Sequence, residues 1–266
     1  MSTSIVKVAL SKHEAAGNDF LVMVDLEERV GLSADEIRRL ADRHAGVGAD
    51  GLIVVTGPSG GGEVTMTLSN SDGSVAEISG NGLRCVVHEV VRSGIVAPGD
   101  FSVMTGSGLR RVRCEEPVGR TAMTSADMGE VLVESLDTQA LTATLSVGNP
   151  HLVLVVDDPR GIDVEREGLR LQNTRPGGIN VEWIARRDDG SLDMVVYERG
   201  VGRTMACGSG SCAAAMASRA FGLTGDSVRV ANPGGDLIVT LEGEVAVLSG
   251  PASVIADMTV LLERDA

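Results

Sequence analysis

Lysine is nearly missing from this chain. Of 23 basic residues only Lys7 and Lys12 are lysines, so a Schiff-base lysine for pyridoxal phosphate would have to be one of those two. Aromatic side chains are scarce as well: Phe20, Phe101, Trp183, Tyr197 and Phe221 are too few for a platform that stacks flavin rings or single strands. No stretch approaches the ~18 consecutive apolar residues of a membrane span. Met1–Leu10 lacks the basic region and apolar core of an export signal. The four cysteines, Cys85, Cys114, Cys207 and Cys212, show no C-x-x-C spacing, which argues for free thiols in a reducing compartment rather than a disulfide framework. The histidines His13, His44, His88 and His151 are not spaced as a ligand pair, so no metal is expected. A net charge of −14 repels nucleic acid and anionic membranes. These absences predict a soluble, cytoplasmic protein whose partner is a small molecule, with neither nucleic acid nor membrane as a partner.

Glycine is what the chain has in excess. It supplies 34 of 266 residues, roughly twice the usual ~7%, and implies many tight turns or close approaches of backbone to a ligand. The glycine-rich segments also repeat. Gly17-Asn18-Asp19-Phe20 resembles Gly148-Asn149-Pro150-His151, and Gly48–Ile53 resembles Gly178–Trp183. Further on, Ser79-Gly80-Asn81-Gly82 matches Cys207-Gly208-Ser209-Gly210, and Thr105–Gly108 falls on Asn232–Gly235. The order is kept while the separation drifts from 131 to 127 residues, which predicts an internal duplication. The halves are expected to span residues 1–120 and 121–254, meeting near Glu115–Ala126.

Each half reads as mixed α+β. Leu52–Thr56, Val64–Leu68, Leu152–Val156, Met194–Tyr197, Leu237–Leu241 and Val245–Leu248 are β-branched or alternating runs between turn residues, hence strands. Ser33-Ala34-Asp35-Glu36 is a capping box that predicts a helix to about His44, with Gly46 as its stop. Two more helices follow the central Gly-x-Gly segments, over Gly82–Arg92 and Gly210–Phe221. The second carries almost nothing polar, so it should be surrounded by protein. The expected fold is therefore two pseudo-symmetric domains, each a mixed sheet or barrel wrapped around a central helix, with the active site in the cleft between them.

The repeat sets Ser79 and Cys207 at matching places, each just before a turn that opens a helix. Free N–H groups and aligned peptide dipoles at a helix start bind anions and are expected to depress the pKa of a nearby thiol. Paired acid/base groups of this kind suit inversion of a stereocentre, in which one removes an α-proton and the other returns a proton to the opposite face. The plainer reading makes Cys207 a small core residue and the glycines helix-entry turns. A nucleotide-binding oxidoreductase is disfavoured. Gly208–Ala213 fits G-x-G-x-x-A, but Glu198–Met205 makes no hydrophobic strand before it.

Six segments together resemble the signature blocks of the diaminopimelate epimerase family. They are Gly17–Phe20, Asn70–Ser74, Gly80–Cys85, Gly148–His151, Tyr197–Gly200 and Ala206–Cys212, in order along essentially the whole chain. The resemblance implies a pyridoxal-independent epimerase, needing no cofactor, that interconverts LL- and meso-diaminopimelate for lysine and peptidoglycan synthesis, usually as a homodimer. It implies that a final strand at about 255–266 packs with the first half. It makes Cys207 one catalytic acid/base. It gives the backbone N–H groups of Gly80, Asn81, Gly208 and Ser209 the carboxylate at the reacting carbon, and places Asn18 and Glu198 beside that centre. His151 with Glu198 would adjust the thiol pKa, and Asn70, Asn149, Asn180 and Arg199 would recognise the distal end of the substrate.

One position departs from that pattern. Ser79 stands where the resemblance calls for the first catalytic cysteine, and a hydroxyl is a far weaker acid than a thiol. Cys85, about 1.7 helical turns further on, should lie nearly opposite and deeper. Three explanations remain open: a replacement made to trap substrate, a natural variant in which serine or a water completes the relay, or altered chemistry. The corresponding alternatives are a related amino-acid isomerase or dehydratase using a Ser/Cys pair, and a catalytically impaired amino-acid-binding homologue.

Overall fold

Apolar residues recur at every second position along segments such as Val64–Asn70, and in the structure the buried side chains follow that alternation. The structure is a computed structural model that describes residues 3–76 and 78–265. It divides into two compact units. Unit 1 takes the chain up to Thr124 and again from Pro251, and unit 2 is Ser125–Gly250.

In chain order the elements of the first half are β1 (Thr3–Ala15), β2 (Asn18–Val24), α1 (Ala34–Ala41), β3 (Gly51–Thr56), β4 (Val64–Asn70), β5 (Val75–Ala76), α2 (Gly80–Arg92), β6 (Gly99–Thr105), β7 (Gly108–Cys114) and β8 (Thr121–Glu130). The second half continues with β9 (Leu132–Asp137), β10 (Thr142–Ser146), β11 (Pro150–Val155), α3 (Val164–Gln172), β12 (Asn180–Arg186), β13 (Leu192–Glu198), β14 (Gly202–Arg203), α4 (Gly208–Ala220), β15 (Ser227–Asn232), β16 (Gly235–Glu242) and β17 (Val245–Asp265). The chain leaves unit 1 within β8 and re-enters it within β17.

The two units share one topology. In unit 1, β2 pairs parallel with β3, β3 antiparallel with β4, β4 parallel with β6, and β6 antiparallel with β7. In unit 2, β11, β12, β13, β15 and β16 repeat that pattern bond type for bond type. Each parallel pair needs a crossover: α1 and α2 lie in the two of unit 1, α3 and α4 in the two of unit 2. The hairpin turns before β2 and β11 are equivalent too. Gly17 and Gly148 both have φ of 80°, in the left-handed region that glycine enters without penalty. The doubling read from the sequence is thus a doubling of fold.

One buried helix in each unit packs against several of its strands. α2 packs against β1, β2, β3, β4 and β7, and α4 against β10, β11, β12, β15 and β16. Twelve of the thirteen α2 residues are buried and ten of the thirteen in α4. Both helices begin two residues earlier than the sequence suggests, at Gly80 and Gly208, because Ser79 and Cys207 are themselves the caps. The capping box at Ser33 and Glu36 forms as expected, but α1 stops at Ala41 instead of near His44. There the Asp42 carboxylate accepts the backbone N–H groups of His44 and Ala45 and closes the chain into a turn. No helix among the described residues is long and apolar enough to cross a membrane.

The hydrophobic core of unit 1 gathers Val8, Leu10, Leu21, Met23, Ile37, Leu40, Leu52 and Leu262. A separate core in unit 2 gathers Val164, Ile179, Val181, Trp183, Val195 and Tyr197 under α3. At the edge of the first core, Arg43 bridges Asp19 and Asp50 while Lys12 reaches Asp19 at 2.9 Å. Burial alone would raise the Asp19 pKa, but the Arg43 and Lys12 cations outweigh it and hold the carboxyl down at about 2. The unfolded value is about 3.9, so this contribution to stability is complete above about pH 4 and is lost as pH falls towards 2. Melting temperature followed across that window should fall less steeply in Asp19→Asn than in the parent, and equal slopes would refute the assignment.

Candidate functional site

The caps of α2 and α4 are built alike. Ser79 has φ −134° and ψ 124°, and its Oγ accepts the N–H of Gly82 at 3.1 Å. Cys207 has φ −123° and ψ 117°, and its Sγ accepts the N–H of Gly210 at 3.3 Å. In each case an extended cap residue turns its reactive atom toward the first helical turn, whose N–H groups have no partner within the helix. Gly80 and Asn81 open the first turn of α2, and Gly208 and Ser209 open that of α4.

What lies beneath the two caps differs. A Cβ placed on Gly82 would sit 3.1 Å from Ile53 Cδ1 and 3.5 Å from Phe20 Cζ, both apolar. A Cβ placed on the equivalent Gly210 would sit 2.6 Å from the Glu182 carboxylate oxygen Oε1. Glu182 is fully buried, and the same oxygen lies 2.7 Å from Nδ1 of His151, also fully buried. The other ring nitrogen of His151 lies 3.0 Å from Asn149 Oδ1. Unit 2 therefore carries a half-buried Asn149 linked to the buried pair His151 and Glu182 where unit 1 carries an aromatic ring and an aliphatic side chain.

The remaining candidates of unit 2 gather around that chain. His151 and Asn180 are paired neighbours on β11 and β12. The Asn180 side chain donates to the Pro150 carbonyl at 2.9 Å and accepts the Arg199 N–H at 2.9 Å, tying three strands' ends together. The Arg199 guanidinium is exposed and donates to Gly177 O at 3.2 Å. Glu198 accepts the Thr204 hydroxyl at 2.5 Å, and Glu182 is the carboxylate at 2.7 Å from the His151 ring.

In unit 1 the candidates are spread more widely. Asn81 is buried and accepts a 2.7 Å bond from Arg84, whose other terminal nitrogen donates to Pro251 O at 2.8 Å. Burial lowers the Arg84 pKa to about 10. Asn18 donates to the Asp50 carboxylate. Asn70 is exposed and donates to Ser74 at 3.0 Å inside its own turn. Asp50, which the motif reading passed over, links the two regions, because its backbone carbonyl accepts the Ser71 N–H at 3.1 Å.

One electrostatic expectation is corrected. The helix start was expected to depress the Cys207 thiol pKa, but in the structure it stands well above the ordinary cysteine value. Burial is the largest cause, and the Glu198 and Glu182 carboxylates push the same way. The Ser209 hydroxyl and the Gly210 N–H pull it down by less. Two nearby negative charges in a water-poor site outweigh two donors. Cys207 consequently rests as a neutral thiol at pH 7. Cys85 is fully buried and its thiol is pushed up to about 12 by burial, so it is no substitute for Ser79 as an acid/base.

Comparison with known proteins follows the same lines. A family described as Diaminopimelate epimerase matches residues 10–133 and 143–255. A protein named diaminopimelate epimerase from Leptospira biflexa serovar Patoc is 33% identical over 271 residues, covering 93% of this chain and 96% of the relative. One of the same name from Corynebacterium glutamicum is 34% identical over 267 residues, covering 94% and 96%. Among solved structures, a phenazine biosynthesis protein of the PhzF family from Bacillus anthracis superposes with a TM-score of 0.77 at 14% identity, covering 97% of this chain and all of that one. A hydroxyproline epimerase from Agrobacterium vitis gives 0.72 at 16% identity, covering 97% and 92%. At such identities the structures attest the fold alone.

Proposed function

This chain belongs to the diaminopimelate epimerase family, and from that premise we propose that it interconverts LL- and meso-diaminopimelate by moving protons on and off one α-carbon without a cofactor. The observation that carries the reading is the matched pair of caps, Ser79 on α2 and Cys207 on α4, each with a reactive atom held at the start of a buried helix. Inverting a carbon requires one group for each of its faces, and a duplicated fold supplies one from each copy.

The roles follow from the chemistry of each group. The first-turn N–H groups of Gly80, Asn81, Gly208 and Ser209 hold the carboxylate next to the reacting carbon and spread the charge that grows on it as the α-proton leaves. Cys207 begins protonated, so it acts first as an acid. It becomes a base once its proton has passed to substrate, with Ser209 and Gly210 placed to stabilise the thiolate. Ser79 works the other face: its oxygen, alone or through a water, takes the α-proton as the hydroxyl or water proton passes on to solvent, and a hydroxyl makes that the slow side. Asn18 and Glu198 lie beside the reacting centre. Asn70, Asn149, Asn180 and Arg199 take the distal zwitterion, whose carboxylate a guanidinium can grip with two parallel N–H groups.

Incubation in deuterated water tests this directly. LL-diaminopimelate should gain α-deuterium and yield the meso isomer, while proline, hydroxyproline and histidine should stay unlabelled. Such substrates would leave the distal polar groups unpaired, at a cost of ~1–3 kcal/mol for each buried one. Labelling of another amino acid in place of diaminopimelate would reassign the substrate. Binding of diaminopimelate without any labelling over hours would make the protein a binder.

A further inference from the structure

Glu182 is an expensive residue in its position. It stands in β12 between Val181 and Trp183 with no solvent exposure. Its Oε1 is satisfied by His151 Nδ1, but its Oε2 is buried with no hydrogen-bond partner among the described residues. A buried carboxylate left half-satisfied destabilises the fold, and the duplicated fold shows that the position does not require it. Under Gly82 of unit 1 the corresponding space is filled by Ile53, and the corresponding place of His151 by Phe20. An apolar pair serves the architecture there. The polar pair occurs only beneath the cap that carries the thiol.

We propose that Glu182 is a positioning residue for this reaction: its carboxylate anchors the His151 ring through Nδ1 and, pressed against the bare face of Gly210, keeps the proton on the Cys207 sulfur until substrate is bound. The inference rests on the reading of Cys207 as an acid/base. Every charged or titratable group that bears on the sulfur has a named origin. Glu182 comes from β12 and Glu198 from the end of β13, while the Ser209 hydroxyl and the Gly210 N–H come from the first turn of α4. His151, from β11, reaches the site through Glu182. Gly210 is where the device depends on a missing side chain, since a Cβ there would collide with Oε1 at 2.6 Å. With Glu182 in place the sulfur starts as a proton donor. Without its charge the sulfur would ionise earlier, and without its acceptor oxygen His151 would lose the partner that fixes which ring nitrogen carries hydrogen.

The test reads the sulfur directly in the substrate-free protein. The ultraviolet absorbance of the Cys207 thiolate is titrated against pH, with Cys207→Ala as the blank for the other cysteines. Glu182→Gln keeps an acceptor for His151 and removes the charge. Its midpoint should move about one unit to lower pH, with kcat for diaminopimelate falling about tenfold and KM little changed. Glu182→Ile, which borrows the residue of the other unit, should move the midpoint the same way, and it carries the test if Glu182→Gln does not fold. A Glu182→Gln midpoint equal to the parent's overturns the proposal, as does a shift to higher pH. If the parent shows no exchange with diaminopimelate, the substrate reading fails, yet the titration still decides the role of Glu182.

Discussion

Replacing Ser79 by cysteine should make the protein a much faster epimerase. The Ser79 cap geometry matches that of Cys207, so a thiol at residue 79 would enter a cradle already shaped for one: an extended cap residue with the Gly82 N–H directed at its side-chain atom. The surroundings there favour it further, because Phe20 and Ile53 bring no negative charge against the sulfur. A general acid or base of suitable pKa contributes ~10²–10⁴-fold to a proton transfer. The rate of LL-to-meso conversion by Ser79→Cys should therefore rise by about two orders of magnitude or more in a coupled assay beside the parent. No gain would mean that the hydroxyl does not limit turnover.

The opposite change is expected at Cys207. Cys207→Ala removes the thiol yet leaves the α4 backbone, whose first-turn donors still hold the substrate carboxylate. Binding of diaminopimelate, read by calorimetry, should persist while α-deuterium incorporation drops by ~10³-fold or more. The pH profile of the parent gives a second reading. Burial, Glu198 and Glu182 all keep the sulfur protonated, so the proton donor survives as pH rises. Turnover should not fall until pH is well past about 8.5, the value of an ordinary cysteine. A decline that sets in near neutrality would contradict the raised thiol pKa, and retained exchange in Cys207→Ala would move the chemistry elsewhere.

The duplication and both central helices were legible in the sequence because glycine-rich turns repeat in order and because Cys212–Ala217 offers a helix no polar face. The cap residues were legible for the same reason, one block aligning with the other. The outer strands were not. β1 runs from Thr3 to Ala15 and pairs with residues 239 to 262 positions away, and nothing local in its sequence announces such a partner. α3 was missed because four of its nine residues are charged and only Val164 and Gly168 are buried, with Asp163 at the cap as its clearest signal. The thiol pKa was misread because a helix start is a local feature. Glu182 and Glu198 reach the sulfur from β12 and β13, and spacing along the chain does not convey that approach. A trace of Glu182 was nevertheless present: it is the one acid inside the apolar run Val181–Ile184.

The pairing of β1 with the end of β17 extends from Thr3↔Asp265 to Glu14↔Ser253. As the chain emerges from the ribosome, the half translated first must wait for the half translated last. Unit 2 has all its residues once Gly250 has appeared, whereas unit 1 lacks a strand until residues 251–265 are made. Removing residues 251–265 would therefore injure the N-terminal half first, including the helix that Ser79 caps.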